Sequence, residues 1–181
     1  MKSKPLTKNI VLSGLFLALC LLLPFLTGQI PTIGSALSPM HIPVLLCGFV
    51  CGWPYGLIVG LIAPPLRFAL FGMPPLFPTG VAMMFELATY GLVSGLLYKV
   101  FPKKIGYTFL SLILAMLAGR VIWGIVTYIL TGLSGGEFTF AMFLSGAFVT
   151  ALPGIICHLI LVPLVVCSLQ KAKLIAYEQP V

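Results

Sequence analysis

Between Lys8 and Lys99 the chain carries only two formal charges, Arg67 and Glu86. The eight lysines stand at positions 2, 4, 8, 99, 103, 104, 171 and 173, all at the ends of apolar runs. Only 7% of residues are charged and 60% are hydrophobic, whereas a soluble domain carries about 25% charged residues. Apolar runs this long and this poor in charge are spans. The sequence therefore predicts an all-α integral membrane protein, a single six-helix membrane domain over residues 1–181 with no room for a separate soluble domain.

The net charge of +7 does not point to nucleic acid. Its lysines mark segment ends, as the positive-inside pattern requires, and form no basic patch interleaved with aromatics. Both arginines lie within apolar segments, so Lys sets topology and Arg is left for another task. The five cysteines (20, 47, 51, 157, 167) also lie in apolar runs. Cys47 and Cys51 share a helix face, but no second Cys-His pair has matching spacing, so they read as small buried residues. No metal site and no cofactor is expected. The N-terminal lysines and apolar run imitate a signal peptide. The run continues past Cys20 to Leu26 without a small-residue cleavage site, which predicts a retained first span.

The predicted spans are 8–26, 40–51, 56–71, 80–100, 106–130 and 139–169. Thr7 is placed to cap the first, and Pro24 to kink its end. The second is short for a crossing of roughly 20 residues. Gly56 and Gly60 form a GxxxG step and Gly91 with Gly95 another, which lets helices approach closely. Pro64-Pro65 is expected to break the third span just before Arg67. Pro153-Gly154 and Pro163 are expected to kink the last. Residues 27–39 form a long uncharged linker of the kind that often serves as a lid, and 73–78 (MPPLFP) an apolar loop. Six spans put both termini on one side with the 101–104 loop, which gathers every lysine there; that side is then cytoplasmic.

This topology sets depth. His41 opens the second span from outside, Arg67 lies about one turn from the outer end of the third, Glu86 under two turns into the fourth, and Arg120 about three turns into the fifth. Ionisable groups inside a membrane are functional-site hypotheses by default. Together they predict an outward-facing pocket of His41, Arg67, Glu86 and Arg120, with Phe77, Tyr90, Trp123 and Tyr128 as aromatic wall and the 27–39 and 72–79 loops as cap. Each has a plainer reading. Arg67 at the interface can snorkel, Glu86 with an Arg can be a structural ion pair, and His41 can be a helix-start residue. His158, alone on the last span and on its inner side when counted from 139, reads as structural, and Glu137 as a solvated loop residue. Two Arg against one Glu leave one positive charge, which a carboxylate ligand would balance through the planar guanidinium fork.

The chain holds no phosphate-binding loop of the G-x-x-x-x-G-K-[ST] type, no G-x-S-x-G, no H-E-x-x-H and no Asp at all. It is not expected to hydrolyse ATP or to be an enzyme. A small pocketed membrane protein without a visible energy source fits a subunit of something larger.

Size, six spans, the lysine-bearing N-terminus, the Gly14/Ala18 small-x-x-x-small step, the long first external loop and the run SPMHIPVLLCGFVCGWPYGLIVG (38–60) resemble the substrate-binding S component of an energy-coupling factor (ECF) vitamin transporter. The resemblance covers nearly the whole chain. It departs from the family's usual Ala-x-x-x-Ala in the first span, where Gly14 and Ala18 keep the smallness. The resemblance implies a protein of the prokaryotic plasma membrane that captures a vitamin or related micronutrient from outside with high affinity. It implies assembly with a transmembrane T subunit, docked on Gly14 and Ala18, and two ATPase subunits that hydrolyse the ATP, followed by toppling in the membrane to release substrate inward. The MHIPV-containing run looks like pantothenate-type members. Another B vitamin, niacin or a queuosine precursor stays open as substrate. The competing classes are an autonomous ion-coupled carrier, with Glu86 as coupling group, and a membrane enzyme.

Overall fold

A computed structural model describes residues 5–27 and 36–175. Among these the secondary structure is helical. Helix α1 (Pro5–Leu22) tightens at its end into a 3-10 turn, Leu23–Thr27. There Pro24, without an N–H to donate, ends the α-ladder rather than kinking it. Then come α2 (His41–Cys51), α3 (Trp53–Phe71), a wide turn at Leu76–Gly80, α4 (Val81–Val100), α5 (Ile105–Leu133), a short α6 (Phe140–Leu144) running into a wide turn at Ser145–Val149, and α7 (Leu152–Lys171). Five stretches are long and apolar enough to cross a membrane: Leu6–Leu26, Trp53–Phe71, Leu76–Val100, Ile105–Leu133 and Leu152–Lys171.

Two expectations about the helices need correction. The stretch 139–169 is not one kinked span. Its ladder is interrupted at Thr150 and Ala151, and α7 starts afresh with Pro153 in its first turn. That is the one helical position where the missing N–H is no loss. Pro64-Pro65 does not break α3, which runs on through both to Phe71. Pro64 is fully buried, and a proline within a span is tolerated where neighbours re-satisfy the freed backbone. The expected lid at 27–39 lies almost wholly outside the described residues.

Helix α2 is the centre. Nine of its eleven residues are buried, and α1, α3, α4 and α7 all pack against it. Pro43 sits in its first turn, where it breaks no bond. Gly52 ends it at φ +95°, a conformation that only glycine enters freely, and Trp53 begins α3 at the next residue. One glycine therefore reverses the chain.

Around α2 the backbones touch. A Cβ on Gly60 would lie 2.5 Å from the backbone of Leu87 and Ala88, and one on Gly56 would lie 2.7 Å from the Gly91 carbonyl oxygen. The glycine steps read from the sequence thus meet each other across the α3–α4 crossing, as small residues do where van der Waals packing has to drive association in lipid. At the opposite end from His41, Lys8 Nζ donates to the Leu174 carbonyl at 3.1 Å, and Gln170 Nε2 donates to the Tyr98 hydroxyl at 2.8 Å. The start of α1 and the ends of α4 and α7, with their lysines, gather at this one end.

Candidate functional site

Glu86 lies in the second turn of α4, 2% exposed, and three elements converge on it. From α5, Arg120 Nη1 sits 3.0 Å from Glu86 Oε1. One turn along α4, the Tyr90 hydroxyl donates to the same oxygen at 3.0 Å. From the first residue of α2, His41 Nε2 faces Glu86 Oε2 at 3.5 Å, an ion-pair distance too long for a good hydrogen bond. Gly119 makes the arrangement possible: any side chain there would occupy the Tyr90 ring.

A fifth member comes from α7. The His158 ring stacks on that of His41 with centroids 5.9 Å apart, and its Nε2 lies 3.3 Å from the Ser38 carbonyl oxygen. Sequence reasoning assigned His158 a structural role and an inner depth, because it counted from 139. Counted from the true helix start at Leu152, His158 is under two turns in and level with His41. Pro153, a residue that favours the first helical turn, was the signal that would have found it.

The cluster is buried but not saturated. His41 Nδ1 and Nε2, Arg120 Nε and His158 Nδ1 have no hydrogen-bond partner although all are shut off from the surface. Buried polar groups are hydrogen-bonded as a rule, so nitrogens around one carboxylate with no hydrogen bond, of which only His41 Nε2 has an ion-pair partner, are a feature in need of explanation.

The other expected site residues lie elsewhere. Arg67 does not join the cluster. Its Nη1 donates to the Leu21 carbonyl at 2.5 Å and its guanidinium lies over the rings of Phe25 and Phe71 at 5.2 and 5.4 Å. It ties α3 to the end of α1. The cluster therefore holds one Arg and one Glu, and the positive excess expected from counting both arginines is absent from it. Tyr90 belongs to the cluster, donating through its hydroxyl and facing the His41 ring with centroids 5.3 Å apart. Trp123 packs edge-on to Phe138 and stacks on Phe143, with Gly146 beneath its ring. Tyr128 is exposed at the rim of an apolar groove of about 440 Å³ that runs between α5 and residues 138–143. Phe77, in the turn before α4, is 54% exposed, and Glu137 is exposed.

Among the described residues no group of three or more His, Cys, Asp or Glu could hold a metal ion. All five cysteines are free, with Cys20, Cys47 and Cys51 buried. Gly14 has open space where a side chain would stand, and the exposed Val11, Leu15 and Leu22 lie about it on α1.

No curated protein and no solved structure matches the chain. The family profile of the ECF transporter substrate-specific component does match, over residues 8–166, a stretch that takes in α2 to α6 and most of α1 and α7. Multi-pass helices and this match agree: the chain belongs to the family of substrate-specific components of ECF transporters, membrane proteins that bind a vitamin or related micronutrient for transport.

Proposed function

We propose that the chain captures a small carboxylate-bearing micronutrient from outside the cell and delivers it inward together with a T subunit and two ATPase subunits. Pantothenate is the first candidate; another B vitamin, niacin and a queuosine precursor follow. The chain itself needs no cofactor, since ATP is hydrolysed by the partners. His41, Glu86, Tyr90, Arg120 and His158 hold the polar end of the ligand. The observation that carries this is the set of buried nitrogens without hydrogen-bond partners: His41 Nδ1, Arg120 Nε and His158 Nδ1. An arriving carboxylate accepts from Arg and imidazole donors. Trp123, with Phe138 and Phe143 around it, supplies apolar surface beside the polar end.

The proposed orientation has six crossings and both termini in the cytoplasm of a prokaryotic cell. The lysines gathered at the Lys8–Leu174 end support it under the positive-inside rule. The short α2, wrapped by α1, α3, α4 and α7, is counted as the sixth crossing although its helix covers only about half of the bilayer core.

The test is ligand identification. The chain is purified in mild detergent from cells grown in rich medium, denatured, and the released small molecules are identified by mass spectrometry. A stoichiometric vitamin in the wild type and an empty Arg120→Ala chain are expected. An empty wild type, or an Arg120→Ala chain that keeps the molecule, sinks the reading.

One observation favours a second reading, an autonomous ion-coupled carrier: a buried carboxylate beside two imidazoles is a set of groups able to take up and release protons. Such a carrier accumulates substrate in liposomes without partners, whereas a substrate-specific component binds but does not sustain uptake alone.

A further inference from the structure

Helix α5 presents more than Arg120 to the interior. An α-helix returns to the same face after seven residues, so Thr127 lies on the face of Arg120, two turns nearer the end of α5. Trp123 lies between them on that face. Phe138 and Phe143 roof this stripe through their contacts with Trp123.

Thr127 stands out by its hydrogen bonding. A hydroxyl on an apolar helix ordinarily bonds back to its own helix three or four residues earlier. Ser13, Thr89, Ser111, Ser134 and Ser168 all do so here, at 2.7 to 2.9 Å. Thr127 Oγ1, unlike these mostly exposed hydroxyls, is shut off from the surface and bonds to nothing. Such a group lowers the stability of the empty protein. At the other end of the stripe, Arg120 Nε is also unpaired. Two unused polar atoms, each shut off from the surface, thus lie on one half-buried face of α5 about 10 Å apart along the axis, with an indole between them.

We infer that Thr127 is a specificity-determining residue, and that the face Arg120–Trp123–Thr127 measures its ligand. The ligand class is an elongated carboxylate with a hydroxyl, amide or ureido group about 10 Å from the carboxylate and an apolar middle. This rests on the binding function proposed above and adds to it a length and a second polar group. A site built to hydrogen-bond a substrate group discriminates strongly against analogues that lack it, because its own polar group is then left unpaired.

The test uses the purified chain stripped of bound small molecules and three probes: pantothenate and biotin, each with a polar group far from the carboxylate, and nicotinate, which has a carboxylate alone. Dissociation constants are measured for wild type, Thr127→Val and Thr127→Ser, together with the melting temperature of each empty protein. The wild type is expected to prefer pantothenate or biotin to nicotinate. Thr127→Val is expected to weaken binding of the preferred long probe by about tenfold or more, to leave nicotinate unchanged, and to melt no lower than wild type. Thr127→Ser, which keeps the hydroxyl, is expected to restore the preference. A structural hydroxyl gives the opposite melting result. An unchanged preference in Thr127→Val, a preference of the wild type for nicotinate, or a lower melting temperature for empty Thr127→Val overturns this inference alone. Failure of all three probes to bind overturns the carboxylate reading of the site as well.

Discussion

Glu86 Oε1 is shared: Arg120 Nη1 and the Tyr90 hydroxyl both reach it at 3.0 Å, so one oxygen ties α4 to α5 and to its own next turn. An ion pair this deep contributes little over an apolar pair of equal shape, but losing one partner leaves an uncompensated charge. The Glu86→Ala chain is expected to lose about 3–5 kcal/mol of stability. In Glu86→Ala/Arg120→Ala the loss is expected to be smaller than the sum of the single losses. Melting in detergent of the two single variants and the double variant checks this, and strictly additive losses would show that the two residues do not interact.

Arg67 provides the contrast. Its partners are the Leu21 carbonyl and two aromatic rings, none of them in the Glu86 cluster. Replacing it with Met is expected to cost about 1.5–3 kcal/mol, the range for a hydrogen bond to a charged group, and to leave vitamin retention intact. A destabilised chain that still copurifies with its ligand is the expected result. An empty but well-folded Arg67→Met chain would return Arg67 to the site.

The glycine crossing makes a sharper stability prediction. A Cβ at Gly60 meets backbone, not a flexible side-chain tip, so the helices have to separate to admit it. Gly60→Ala is expected to destabilise by about 1–3 kcal/mol, the usual cost of overpacking. Gly14→Ala, with nothing within 4 Å of the new atom, is expected to be neutral. Equal melting temperatures for the two variants would refute the packing account.

On α1 the open face at Gly14 carries the assembly prediction. Gly14→Leu/Ala18→Leu is expected to retain vitamin and to lose copurification with the T subunit, because bulk prevents the close helix approach that small residues allow. Normal assembly and uptake in that variant would remove the docking role.

Much of the bundle was legible from hydropathy and its punctuation. The stretch 80–100 announces α4 because its apolar run carries a single charge, Glu86, before Lys99 at its end, and the glycines at 56, 60 and 91 announced a crossing that the structure contains. What stayed hidden was three-dimensional. Arg67 is one turn from the end of α3, so depth alone grouped it with Glu86; only the direction of its side chain sends it to Leu21 instead. His158 was lost through a helix boundary, since one misplaced start moved it down the membrane. Thr127 offered no signal in sequence, because a hydroxyl that bonds back to its helix and one that bonds nothing are the same letter.

The shortness of α2 has a consequence for traffic. Eleven residues span about 16 Å, roughly half of a hydrocarbon core of about 30 Å, with His41 at one tip and Gly52 near the lysine-bearing surface. In the orientation proposed above, a molecule held at His41 rests near mid-depth on top of a solid plug: Val44, Leu45 and Cys47 are 0% exposed and Gly48 is clasped by Ser94 and the Gly91 carbonyl. No water-filled tunnel can open beneath it without dismantling the most tightly packed part of the fold. Under the import function proposed above, this packing favours release by reorienting the whole bundle relative to the bilayer, with the cargo still seated on its plug.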